Sequence, residues 1–158
     1  MKSDIWNDRI AGPKSPTNMQ LGFLVMRLML GLNLFMHGFI RHFNGIEVWL
    51  EPNAATFEGT ILPMPLVIAF LYVVPTVELI LGVMLLLGLF TRSALIATVV
   101  LFLVLDFGHG VRQLWSNMHL IMHYSVYFWI MFILIKQNWL ALDNKFWPKA
   151  LSTSPADD

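Results

Sequence analysis

Two histidines stand four residues apart in "NMHLIMHY", His119 and His123, at the start of a long apolar run. On a helix this spacing sets both imidazoles on one stripe, and Tyr127 continues that stripe one turn further. Asp106 and His109, three residues apart, share a face of the preceding apolar segment, and His37 and His42 close the first one. The chain has no cysteine. Imidazole and carboxylate are therefore the groups with which it would hold a metal or a haem iron. They are also the groups with which it would hydrogen-bond a quinone head and relay its protons. The same side chains at a membrane–water boundary would simply face water or lipid headgroups. The H-x-x-x-H pair lacks the Glu of the zinc-protease H-E-x-x-H motif. The candidate cofactor-binding residues are thus His37, Asp106, His109, His119, His123 and Tyr127, with His119 and His123 as the candidate metal ligands. No catalytic residue stands out.

Arg27 and Glu78 form a second constellation, each alone inside an apolar run. An ionisable group in a membrane is expensive to bury unpaired. Gly31 and Gly38 follow Arg27 on one face, and Gly82 follows Glu78 on another; small residues let helices approach closely. An Arg27–Glu78 structural ion pair between the first two spans is expected, fixing helix register. Pro75, one turn before Glu78, frees a backbone carbonyl and is expected to kink its helix. The methionines are read as packing.

The elements that must position these groups follow from composition. The chain of 158 residues is 57% hydrophobic and 13% charged, with a mean hydropathy of +0.66. Soluble domains carry about 25% charged residues, so the chain reads as integral to the lipid bilayer. Zero formal net charge gives no reason to expect nucleic acid. The N-terminal residues lack the apolar core of a signal peptide. A helix crossing the hydrocarbon needs about 20 residues. Residues 19–40 and 65–90 are such runs. Residues 92–114 reach that length only by continuing through Asp106 and His109, and residues 118–136 only by including His119 and His123. Uninterrupted runs of this kind are not barrel strands, which alternate.

The expected fold is all-α, an integral membrane antiparallel four-helix bundle over residues 19–137. A polar arm (1–18) ending in a Pro/Ser/Thr/Asn cluster would cap the first helix, and a polar tail (138–158) would follow the last. The long first loop would carry a short interfacial helix near Trp49. Cations set orientation. Lys2, Arg9, Lys14, Arg92, Lys136, Lys145 and Lys149 fall on one side, and Arg41 and Arg112 on the other. Both termini are therefore expected in the cytoplasm and the histidines at the outer end. Trp49, Trp115, Trp139 and Trp147 fall near span ends, as interfacial anchors do.

"RLMLGLNLFMHGFIRHFNG" and "VPTVELILGVMLLLGLFTRSALIA" carry a resemblance to the DoxX family. The matching residues are Arg27, His37, Gly38, Glu78, Gly82, Gly88, Thr91 and Arg92. The resemblance implies a four-helix protein, in the bacterial cytoplasmic (inner) membrane, related to the membrane subunits of thiosulfate:quinone oxidoreductase. It implies partners among other membrane or periplasmic subunits. The family pattern does not prescribe the H-x-x-x-H pair. Three functions follow: an oxidoreductase-like subunit whose outer His/Asp cluster binds a metal, haem or quinone; a non-catalytic subunit that stabilises or anchors a larger membrane complex; and, least favoured because four helices make a thin wall for a pathway, a small-solute permease. With no cysteine, sulfur chemistry would not run through a persulfide on this chain.

Overall fold

A computed structural model describes residues 5, 7–9 and 15–146, and among these there is no strand, only an isolated bridge between Arg9 and Thr17. Lys2, Lys14, Trp147 and Lys149 lie outside the described residues. The elements are α1 (Asn18–Asn44), α2 (Ile46–Ala55), α3 (Met64–Leu87), α4 (Thr91–Val111), α5 (Trp115–Ile133), a 3-10 turn (Ile135–Gln137) and α6 (Asp143–Phe146). α1 starts with a capping box: Thr17 Oγ1 accepts from the Gln20 backbone N–H, and the Gln20 side chain accepts from the Thr17 N–H. The Pro/Ser/Thr/Asn cluster thus does cap the first helix. α2 is a short helix in the first connection, with Trp49 in it.

Three helices, α1, α3 and α4, are long and apolar enough to cross a membrane. α5 is 19 residues long. That is nearly enough length, but Asn117, His119, His123, Ser125 and the two tyrosines dilute its apolar character. The chain is thus an all-helical integral membrane protein with three clear candidate spans and a more polar fourth long helix.

Glycine sets the packing of α1 on α3. A Cβ on Gly38 would lie 2.5 Å from the Leu79 N and the Pro75 O, and one on Gly82 would strike the Phe35 backbone. A Cβ on Gly31 would come within 2.9 Å of the Leu86 N. The two backbones approach so closely that only hydrogen fits, as in small-residue membrane contacts. These contacts also fix the register: Gly38 faces Pro75–Leu79, Gly31 faces Leu85–Leu86, and the Arg27 side chain lies over Gly88.

The core between the helices is built from Phe23, Leu30, Leu34, Val74, Leu81, Leu85, Ala94, Leu95, Leu101, Phe128 and Met131. α3 ends at Gly88, whose φ of +65° is the left-handed conformation that glycine takes without strain. The Leu89 N–H reaches back to the Met84 carbonyl at 2.8 Å and the Gly88 N–H to Leu85 at 3.2 Å, the Schellman pattern. α5 packs on α4 through aromatics. Phe102 meets Tyr124 edge-on at 5.0 Å and Phe128 at 5.6 Å.

Candidate functional site

At the end of the bundle where α1 finishes, α1, α2, α3, α4 and α5 enclose a cavity of about 550 Å³. Its walls are mostly apolar, with Trp49, Phe57, Phe70, Phe102, Phe107 and Tyr124 among them. Into this lining come eight polar side chains: Asn33, His37, Arg41, Asn53, Glu78, His109, Arg112 and Asn117. A concave, apolar space with a small set of convergent polar groups is the usual form of a small-molecule site.

The chemical centre of the cavity is an ion pair between Arg41 and Glu78. Glu78 is almost fully buried and the Arg41 side chain is 18% exposed. The Arg41 guanidinium also stacks over the Trp49 ring, 4.1 Å from its centroid, and sits 3.4 Å from His37 Nδ1. Arg41 lies one helical turn beyond His37 and Gly38, on the same side of α1. The close approach at Gly38 brings that face onto the Glu78 side of α3. His42, on the same terminal turn, bridges the helices differently: Nε2 lies 3.2 Å from Thr76 Oγ1 and Nδ1 lies 2.8 Å from the Gly38 carbonyl.

Arg112 closes the far wall. Its Nη1 donates to Thr56 Oγ1 at 2.9 Å and its guanidinium lies 4.6 Å from the Phe57 ring centroid. Burial lowers the Arg112 pKa, yet a guanidinium starts so far above neutrality that it stays charged. His109 lines the cavity and has a buried Nδ1 with no hydrogen-bond partner, and the buried Asp106 Oδ1 also lacks one.

The expected ion pair is corrected by this geometry. Arg27 does not meet Glu78. The glycine register sets Arg27 beside Gly88, ten residues past Glu78, which is roughly 15 Å along the helix at 1.5 Å per residue. α1 overhangs the end of α3, so equal distances from the helix ends do not mean equal depth. Arg27, 1% exposed, donates instead to Asn138 Oδ1 at 3.1 Å and to the Leu140 carbonyl at 3.0 Å. Asn138 in turn donates to Thr91 Oγ1 at 2.9 Å. Asp143 accepts from the Phe90 and Thr91 N–H groups at 2.6 and 2.8 Å, capping α4 from outside the helix. The first residues of the polar tail are thereby fastened under α1 and the α3–α4 turn.

The expected His/Asp cluster is also corrected. Among the described residues, no three His, Asp or Glu side chains come together in a way that would hold a metal ion. His119 and His123 are exposed, and His123 Nδ1 lies 2.6 Å from the His119 carbonyl in its own helix. Neither lines the cavity. His119 and His123 share an exposed stripe, but the expectation that Tyr127 continues it is corrected: α5 turns to the other helices the face bearing Tyr124, Tyr127, Phe128 and Met131. Tyr127 hydrogen-bonds to the Met26 carbonyl of α1, at the Arg27 end and away from His37. Asp106 is an electrostatic neighbour of His109 but does not line the cavity. Of the six candidates, the cavity gathers His37 and His109. Sequence reasoning missed Asn33, Trp49 and Tyr124 in its lining, and used Arg41 and Arg112 only to set orientation. A visible signal for Arg41 was its place one turn beyond His37 and Gly38.

The family model for DoxX matches residues 22–109, from the first turns of α1 to His109. The chain belongs to the DoxX family. No curated protein and no solved structure matches it. The DoxX match contains both sides of the Arg41–Glu78 pair, the glycines that bring α1 onto α3, and the Gly88–Thr91 turn that receives Arg27. It ends before α5, so His119 and His123 fall outside the DoxX region.

Proposed function

We propose that this DoxX protein is the membrane subunit of a quinone-linked oxidoreductase, and that the cavity at the Arg41–Glu78 pair holds the quinone head. The observation that carries this reading is the cavity itself: about 550 Å³, aromatic-walled, with a buried ion pair and a buried imidazole nitrogen on His109 that has no partner. A ring with two carbonyl oxygens suits such a space. Its faces would lie against aromatic walls, and its oxygens would take hydrogen bonds from Arg41, His37, Asn33 or His109. A quinone supplies two-electron, two-proton carrier chemistry when bound. The chain's own part is to desolvate and orient the head and to present imidazoles as proton donors. The reading assigns the electron source to a partner subunit.

The same reading takes α5 as the fourth span of an antiparallel bundle with both termini in the cytoplasm. Lys and Arg counts support that orientation, in which the cavity would face the outer side of a bacterial inner membrane.

The test is titration of a tail-less dimethoxybenzoquinone into the purified full-length chain, read by tryptophan fluorescence. Saturable quenching, weakened about tenfold in His109→Phe, is expected, roughly 1.4 kcal/mol of lost head-group contact. Absence of saturable quenching, with co-purification of a membrane partner, would replace this reading with that of a non-catalytic anchor.

A further inference from the structure

A second hollow lies outside the first. It is a groove of about 770 Å³ along the outward face of α1 and the start of α2, bounded by Met29, Leu32, Met36, Ile40 and Val48. Four residues belong to the linings of both groove and cavity: Asn33, His37, Arg41 and Trp49. These side chains form the threshold between the two spaces. The groove face is turned away from the bundle, with Met29 65%, Leu32 53% and Val48 70% exposed. α1 is a candidate span, so in a bilayer this face meets lipid.

The groove is polarised across its width. Asn33, His37 and Arg41 recur turn by turn on the side shared with the cavity, and Met29, Leu32, Met36 and Ile40 form an apolar stripe beside them that runs the length of the groove. From Asn44 back to Met29 the groove runs roughly 22 Å along α1 at 1.5 Å per residue, ending near the middle of the 27-residue helix. A polar head left in lipid loses its hydrogen bonds, whereas a hydrocarbon chain loses nothing there. A head inside the cavity, joined past the shared residues to a chain lying on the apolar stripe of the groove, satisfies both spaces at once.

We infer that the ligand is a quinone bearing one long hydrocarbon tail, that it enters sideways from the lipid between α1 and α2 past His37 and Arg41, and that its tail stays in the α1 groove. The inference rests on the quinone reading above and adds the route and the tail site. A ligand arriving from water would not need the groove.

The experiment uses the full-length chain in phosphatidylcholine nanodiscs and a benzoquinone with a ten-carbon tail ending in a diazirine. Irradiation followed by peptide mapping is expected to label residues 29–36 of α1, saturably and in competition with unlabelled decyl quinone. In parallel, the affinity advantage of the decyl quinone over the tail-less head is measured in the unaltered chain and in Met36→Trp and Val48→Trp. These bulky substitutions fill the groove on exposed positions that do not line the cavity. The advantage is expected to be about tenfold and to fall toward one in the variants. Saturable labelling on the α4–α5 wall, at Phe107 or Leu120, would overturn the groove while leaving the cavity reading intact. Saturable binding of the tail-less head with only unsaturable tail labelling, or an advantage unchanged by either substitution, would do the same. If neither quinone binds saturably, the cavity reading falls and the groove inference falls with it.

Discussion

α1 carries two arginines fourteen residues apart, and they have opposite fates. Arg27 is the more buried. It is tied by neutral acceptors, Asn138 Oδ1 and the Leu140 carbonyl, and does not line the cavity. Arg41 is less buried. It meets a carboxylate, a tryptophan face and an imidazole on the edge of about 550 Å³ of space. The Arg27 end is a tether: Arg27 Nη1 and Nη2, Asn138 and Asp143 hold the C-terminal segment on the α3–α4 turn, with only the buried Arg27 Nε left without a partner among the described residues. The Arg41 end is unfinished. It has an ion pair, which is strong in low dielectric, next to an unpartnered His109 nitrogen and an open volume. Neither burial nor an unpartnered nitrogen alone therefore marks the functional charge, since Arg27 has both; what sets Arg41 apart is the cavity it lines.

The largest expected effect is at the Arg41 end. Arg41→Ala leaves Glu78 buried without its partner and is expected to cost about 3–5 kcal/mol, whereas Arg41→Leu combined with Glu78→Leu is expected to be far milder. Thermal unfolding in detergent measures both. Equal losses in the single and double variants would show that the pair is not the seat of that instability.

Next in size is the contact that brings the two ends into register. Gly38→Ala drives a Cβ to within 2.5 Å of backbone atoms of α3, and overpacking of this kind costs about 1–3 kcal/mol. Gly22→Ala meets nothing within 4 Å and serves as the internal control. A similar midpoint for both would break the claim that α1 and α3 are fixed by glycine contact.

At the Arg27 end, Asp143→Ala removes the carboxylate that caps α4 and is expected to cost about 1 kcal/mol, within the range for lost N-caps. It should also speed proteolytic cleavage after residue 138, while leaving quinone binding at the other end as it was. Weakened binding in this variant would show that the two ends are coupled.

The smallest effect is expected from the pair that first draws the eye. His119→Ala and His123→Ala lie on an exposed face, and stability should change by no more than about 0.5 kcal/mol. Quinone binding should persist in both. Loss of binding in either would return α5 to the site.

The sequence by itself determined that this is an all-helical membrane protein of the DoxX family. Long apolar runs have no other stable form in lipid than helices, and motifs such as Gly88-Leu-x-Thr91 are local. It also indicated a cap within the Pro/Ser/Thr/Asn cluster, a local feature, and the structure assigns that cap to Thr17. What it left to the tertiary structure was partnership. Which carboxylate an arginine meets depends on how far one helix slides along another, and Gly31, Gly38 and Gly82 set that slide through backbone contact. Arg41 rather than Arg27 therefore reaches Glu78. Which stripe of α5 faces inward depends on the aromatic packing of Tyr124 and Phe128 against Phe102, and this turns His119 and His123 away. The i, i+4 rule says which residues share a face of a helix; only packing against the neighbouring helices decides where that face points.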